Sequence, residues 1–239
     1  MQGQGVKKIV SCAVAGALAL GTLWCLFAGP SDRADVFAEG PFAGEAVILD
    51  AGHGGEDGGA VSPSGVEESG LNLAIVLRLD QMLGLYGVNT VLLRTEDVSL
   101  HDSDAETLRE KKVSDLHNRV ERIESIEGGT LISIHQNTYP AEKYHGAQVF
   151  YADEASSLPL AQRAQELLKE VLDPTNQRVA ARISDSVYLM NHITCPAILV
   201  ECGFLSNPEE ERLLQDGGYQ TKIAGALAGA YLQMRQEST

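Results

Sequence analysis

Apolar residues along this chain fall into two rhythms. Short, nearly continuous apolar runs at Ala46–Asp50, Val88–Arg94, Thr130–His135, Ala147–Tyr151 and Ala197–Glu201 predict strands. Between them, segments with helical spacing predict helices over roughly 70–86, 104–126, 156–172 and 218–236. In the first of these, Leu73, Val76, Leu79 and Leu83 share one face, and Gly84 and Gly87 follow as stop signals. Strands alternating with helices predict an α/β fold, a single domain with a largely parallel twisted sheet and helices on both faces. This pattern occupies residues 45–236. Ahead of it, residues 31–44 form a linker rich in small and charged residues. In residues 1–30, Lys7 and Lys8 precede an apolar run from Ile9 to Ala28, the pattern of a signal peptide or signal-anchor. The body is therefore expected to work outside the cytoplasmic membrane, touching it only through this segment.

Composition narrows the field. The 239 residues suffice for one large domain, and 18 basic against 33 acidic residues give a net charge of −15. A body so acidic repels phosphates, so nucleic acid is not an expected partner. Hydrophobic content of 44% with 21% charged residues is that of a globular chain. Four cysteines are too few for a disulfide scaffold: Cys12 and Cys25 lie in the apolar leader, and Cys195 and Cys202 read as buried thiols, with spacing alone leaving a bridge between them open.

In open α/β sheets, ligands gather beyond the carboxyl ends of strands. The first strand runs into Ala51-Gly52-His53-Gly54-Gly55, the third ends in Ser133-Ile134-His135-Gln136-Asn137, and the fifth ends in Val200-Glu201-Cys202-Gly203-Phe204. Glu67 and Glu68 stand where the first helix opens. Two histidines and a carboxylate form the donor set of a catalytic zinc, and a further acid beside it can move protons. Glu201 carries the most weight, because a carboxylate ending a wholly apolar strand needs a partner or a task. Asp50 and Asn137 are candidates to orient the imidazoles. His101, His117, His145 and His192 stand in polar or loop contexts and are not expected to be ligands. A serine-hydrolase elbow and a phosphate-binding loop are both missing.

Four segments, in order, resemble the zinc-dependent N-acetylmuramoyl-L-alanine amidases of the amidase-3 type: Ile48-Leu49-Asp50-Ala51-Gly52-His53-Gly54-Gly55, Glu68-Ser69-Gly70-Leu71-Asn72-Leu73-Ala74, Ser133-Ile134-His135-Gln136-Asn137 and Glu201-Cys202-Gly203-Phe204-Leu205-Ser206-Asn207. The resemblance covers residues 45–236. It implies a Zn²⁺ cofactor held by His53, Glu68 and His135, Glu201 as the catalytic acid, and peptidoglycan as substrate, cut between the lactoyl group of muramic acid and L-alanine. The family places a lysine after its second ligand where this chain has Ser69, so Glu67 competes with Glu68; the offset to Asn72-Leu73 favours Glu68. Gly146–Tyr151 and Asp185–Leu189 are similar to the branch that matures the spore cortex, where stem removal prepares muramic acid for δ-lactam formation. The stretch between His135 and Glu201 lacks the helical insertion that plugs the site in cell-division members, which leaves regulation to a separate activating protein. Two other classes stay open: a non-catalytic peptidoglycan-binding protein, and a zinc peptidase cutting within the stem peptide.

Overall fold

A computed structural model of the chain describes residues 45–237. The leader and the linker, residues 1–44, lie outside these residues. No helix among the described residues is long and apolar enough to cross a membrane.

The chain builds β1 (Ala46–Ala51), α1 (Glu68–Leu85), β2 (Thr90–Leu92), α2 (Leu108–Glu124), β3 (Gly129–Asn137), β4 (Gln148–Tyr151), α3 (Leu158–Leu172), β5 (Ala181–Arg182), α4 (Tyr188–Asn191), β6 (Ala197–Phe204), α5 (Pro208–Leu214) and α6 (Gly217–Glu237). The strands form one sheet in the order β2-β1-β3-β6-β4-β5. Pairing is parallel except between β4 and β6, which are antiparallel. The predicted α/β architecture is therefore present, with three short elements the pattern did not predict: β5, α4 and α5.

Successive strand side chains point to opposite faces, and this sorts the core. Ile48, Leu131, Ala197 and Leu199 pack with Ile123 of α2 and with Leu189 and Met190 of α4. On the same face and in the same alternation follow Asp50, Ser133, His135 and Glu201. The opposite face carries Val47, Leu49, Ile132, Ile134, Ile198 and Val200, all buried, and α6 packs against both α1 and α3. α1 supplies Leu71, Ile75, Leu79 and Leu83, and α6 supplies Ile223, Leu227 and Tyr231.

The first face also buries an ionic group. Arg119 of α2 is 2% exposed, bonds Asp50 Oδ1, and donates from Nε to Asp115 Oδ2 at 2.6 Å. It also donates to the carbonyls of Ala51 (3.1 Å) and His53 (2.8 Å). Arg94, equally buried, donates to the carbonyls of Ala51, Gly52 and Ser69 at 2.9, 3.2 and 2.8 Å. Two guanidiniums thus satisfy the carbonyls where β1 gives way to its glycine-rich loop. Burial works against ionisation of Asp50, but Arg119, His135 and Ser133 hold its carboxyl below the usual range.

Arg119→Met should therefore leave two buried carboxylates without their cation and cost about 3–5 kcal/mol, read by urea unfolding. The same pair sets an acid limit. Because the folded Asp50 carboxyl titrates below its unfolded value of about 3.9, its contribution is complete above that pH and is lost as pH falls beneath it. Unfolding midpoints measured from pH 7 down to pH 3 should drop at the acidic end.

Candidate metal centre

β1 and β3 are neighbours, and the chain leaves β1 in one direction along the sheet and returns past it to β3. Their carboxyl ends therefore flank a crevice. Past β1, the loop turns sharply: His53 has φ of 63°, a left-handed backbone unusual for any residue but glycine. Two glycines make room for the ring cluster. A Cβ on Gly52 would lie 2.1 Å from His135 Cε1, and one on Gly59, itself at φ +72°, would lie 2.6 Å from Glu68 Oε2. The loop then pairs Val61 with Glu67 and enters α1.

The structure brings His53, Glu68 and His135 together. One ligand atom from each lies within 4.8 Å of the others, the single such group of three among the described residues. His135 Nδ1 is 3.0 Å from Glu68 Oε1, and His53 Nε2 is 3.4 Å from Glu68 Oε2. The two imidazoles meet edge-on, with centroids 5.2 Å apart. Glu67 is exposed at the cap position of α1, while the next residue, Glu68, is buried against both histidines. Consecutive residues in a helix point in different directions, and only one of the two acids can reach the crevice.

Glu68 is held on every side. Its Oε1 accepts from the backbone N–H of Gln136 at 3.0 Å and from Asn72 Nδ2 at 3.2 Å, and its Oε2 accepts from the N–H of Ala60 at 2.8 Å. Burial raises its pKa, but the bond to His135, the charges of both imidazoles and the Ala60 amide outweigh this and bring it to about 2. His53 is oriented by Asp57, whose Oδ2 accepts from its Nδ1 at 3.0 Å, leaving Nε2 turned toward Glu68. Lys112 Nζ pairs with the other oxygen of Asp57 at 2.8 Å.

Asp57, Lys112, Arg94 and Arg119 were not singled out from the sequence. Asp57 did leave a trace there: an acid between two glycine pairs, Gly54-Gly55 and Gly58-Gly59. Asp50 does not orient an imidazole; its second oxygen accepts from Ser133 Oγ at 2.6 Å, so both oxygens are occupied by Arg119 and Ser133.

Glu201 stands directly across from His135 in the β3–β6 register. Past this pair the register shifts, because β6 advances three residues to Phe204 while β3 advances two to Asn137. Glu201 Oε2 is buried and has no hydrogen-bond partner. Burial pushes its carboxyl up to about 7, with the His135 charge pulling down and the Glu68 charge pushing up. Below the cluster, toward α2 and α4, opens a cavity of 280 Å³ floored by Leu116, Val187, Leu189 and Leu199. The remaining four histidines are engaged elsewhere: His101 with Ser99, His117 with the Tyr188 ring, His145 with Asp173, and His192 with the Tyr188 carbonyl. Cys195 and Cys202 are free thiols, and burial raises the pKa of both.

Comparison with known proteins adds four findings. A family model described as Amidase_3, N-acetylmuramoyl-L-alanine amidase, matches residues 47–232. A germination-specific N-acetylmuramoyl-L-alanine amidase of Bacillus subtilis (strain 168) is 37% identical over 188 residues, covering 78% of this chain and 78% of that protein. Among solved structures, the CwlD amidase from Clostridioides difficile in complex with the GerS lipoprotein matches with a TM-score of 0.76 at 40% identity, covering 79% of this chain and 97% of that one. AmiC2 of Nostoc punctiforme matches with a TM-score of 0.67 at 28% identity, over 81% of this chain and 98% of that one.

The Asp57–His53 bond generates a direct expectation. Asp57→Ala should weaken uptake of a divalent cation by about 10–100-fold while leaving the far-ultraviolet circular dichroism unchanged. Calorimetric titration with zinc reads the difference, and equal affinities would show that Asp57 does not orient the ring.

Proposed function

Since this chain belongs to the N-acetylmuramoyl-L-alanine amidase family, we propose that His53, Glu68 and His135 hold its catalytic zinc and that Glu201 moves the protons of amide hydrolysis. The observation that carries this reading is the bare Oε2 of Glu201, a buried carboxylate oxygen with no hydrogen-bond partner on a half-buried residue set across one strand spacing from His135. The donor set supports the metal: two imidazoles and a carboxylate converge, one imidazole is fixed in its tautomer by Asp57, and the carboxylate is ionised at any physiological pH.

Zinc, when bound, supplies Lewis acidity and lowers the pKa of a water molecule to about 7. Glu201 accepts the proton of the attacking water. The water oxygen forms its bond to the lactoyl carbonyl carbon, and the carbon–nitrogen bond to L-alanine breaks. Glu201 then returns its proton to the leaving amine, so the carboxylate is regenerated and the intact stem peptide departs. Burial raises the affinity of this carboxyl for the proton that it carries from water to amine. The charge of a nearby dication favours the ionised form with which the cycle starts.

The relatives support a biological setting. Segments of this chain are similar to the spore-cortex branch, and one relative is described as germination-specific. We place the reaction in cortex maturation, where freeing the lactoyl carboxyl prepares muramic acid for δ-lactam closure. The Lys7-Lys8 segment and the apolar run after it support work on the outer side of the cytoplasmic membrane. The Clostridioides difficile neighbour was solved with a lipoprotein bound, which supports a separate activating protein for this chain as well.

Digestion of purified cortex sacculi with the zinc-loaded protein, followed by mass spectrometry, should release intact stem peptides; fragments cut within the stem would instead mark a peptidase. Glu201→Gln should retain zinc and lose cleavage by about 10²–10⁴-fold. Parent-level cleavage by this variant would remove Glu201 from the mechanism.

A further inference from the structure

The segment Gly203-Phe204-Leu205-Ser206-Asn207 is only partly explained by the catalytic reading, because its last residues lie beyond Glu201. In the fold they hold down a neighbouring loop. Ser206 Oγ accepts from the N–H of Tyr139 at 3.0 Å, and Asn207 Nδ2 donates to the carbonyl of Glu142 at 2.8 Å. Glu210 accepts from the N–H of Gly146 at 2.9 Å, and Arg178 Nε donates to the carbonyl of His145 at 3.1 Å. A surface loop over residues 138–146 is thus fastened at four points by side chains of other segments.

What this loop presents is aromatic. Tyr139 is 51% exposed and Tyr144 37% exposed, with ring centroids 4.6 Å apart, and Tyr144 lies over Phe204 at 6.3 Å. Exposed aromatic side chains held in fixed positions signal a ligand more often than a core. Tyr144 borders a groove of 340 Å³ whose other wall is the α3–β5 connection, with Asn176, Gln177 and Arg178.

Topology puts this groove beside the metal centre. Because β4 runs antiparallel to β6, its first residue, Gln148, pairs with Glu201. His135, Glu201 and Gln148 therefore form one lateral row, with strands about 4.8 Å apart. Gln148 Oε1 accepts from Arg178 Nη1 at 2.8 Å, which joins the row to the groove. The reversal of β4 brings the connections before β4 and before β5 to the catalytic edge of the sheet.

The charges in the groove are already engaged. Arg178 lies 4.7 Å from the centroid of Phe204, His145 is 3.3 Å from Asp173 Oδ2, and Lys143 stands over the Tyr144 ring at 5.4 Å. The groove therefore offers ring faces, amides and satisfied cations, which suit an uncharged ligand rich in hydroxyl and acetamido groups better than a carboxylate. The apolar-floored cavity toward α2 and α4 lies on the face of the sheet that Ile48 and Leu199 share. The scissile amide has a peptide side and a sugar side, and the centre has two different surfaces to receive them.

We propose that the groove bounded by Tyr144, Gln177 and Arg178, together with Tyr139 packed edge-on against Tyr144, is a glycan subsite, which takes N-acetylated pyranose rings of the strand flanking the muramic acid under attack. This rests on the amidase reading above. Rings stacked there align the strand so that the lactoyl carbonyl reaches Glu201, and binding strength grows with the length of glycan on that side.

The test uses the zinc-loaded full chain and the double variant Tyr139→Ser/Tyr144→Ser, with two substrates: peptide-bearing glycan strands several disaccharides long, and a muramoyl-peptide without flanking sugars. The variant should raise KM for the strands about tenfold at unchanged kcat, and leave KM for the short substrate at the parent value. Tyr139→Phe/Tyr144→Phe should behave as the parent, because stacking needs the ring and not the hydroxyl. Binding of peptide-free glycan strands, measured by calorimetry, should weaken about tenfold in the serine variant. Unchanged KM for the strands, or an equal loss on both substrates, overturns the subsite. A loss of affinity for isolated stem peptide instead overturns the sugar assignment. If the parent cleaves neither substrate, the amidase reading fails, and the calorimetric arm still decides whether the groove binds glycan.

Discussion

The centre depends on two guanidiniums buried where β1 ends. The carbonyls of Ala51, Gly52 and His53 turn into the protein rather than into a strand ladder, and an unpaired buried carbonyl is costly. Arg94 and Arg119 satisfy them, and Asp50 and Asp115 in turn neutralise Arg119. The arrangement is self-supporting: the acids justify the buried arginine, and the arginines allow a glycine-rich loop to hold His53 in a left-handed backbone. Once that loop is fixed, the position of Asp57, the orientation of the His53 ring and the approach to Glu68 follow from it.

A second constraint is lateral. Strand alternation puts Asp50, Ser133, His135 and Glu201 on one face of the sheet, with Ile48, Leu131 and Leu199 as their apolar counterparts nearer the strand starts. The polar end of each strand emerges at the same edge, so a gradient from hydrophobic floor to ionisable rim arises without any element leaving the sheet. The antiparallel β4 extends this rim. A parallel strand in its place would carry its preceding loop to the far end of the sheet, away from Glu201.

Much of this was legible in the chain. The strands of the sheet centre, the four long helices and the α/β class follow from apolar runs and helical spacing, because these elements are long and buried on predictable faces. His53, His135 and Glu201 were legible because each ends or follows an apolar run, where solvent decoration is unexpected. β5 and α4 were not, since two and four residues carry no period, and they exist only because Phe150 and the apolar cluster beneath Leu189 give them something to pack on. The direction of β4 was equally silent, as strand propensity carries no sign.

The sequence alone determined which residue types stand at the strand ends, because this is a local pattern. The tertiary structure decided which of Glu67 and Glu68 faces the histidines, that Asp57 and not Asp50 holds an imidazole, and that Arg94 and Arg119 are interior. Those outcomes depend on contacts between residues as many as 83 positions apart, as in Asp50–Ser133. Only a folded register, with its buried charges paired, selects among the alternatives that spacing leaves equal.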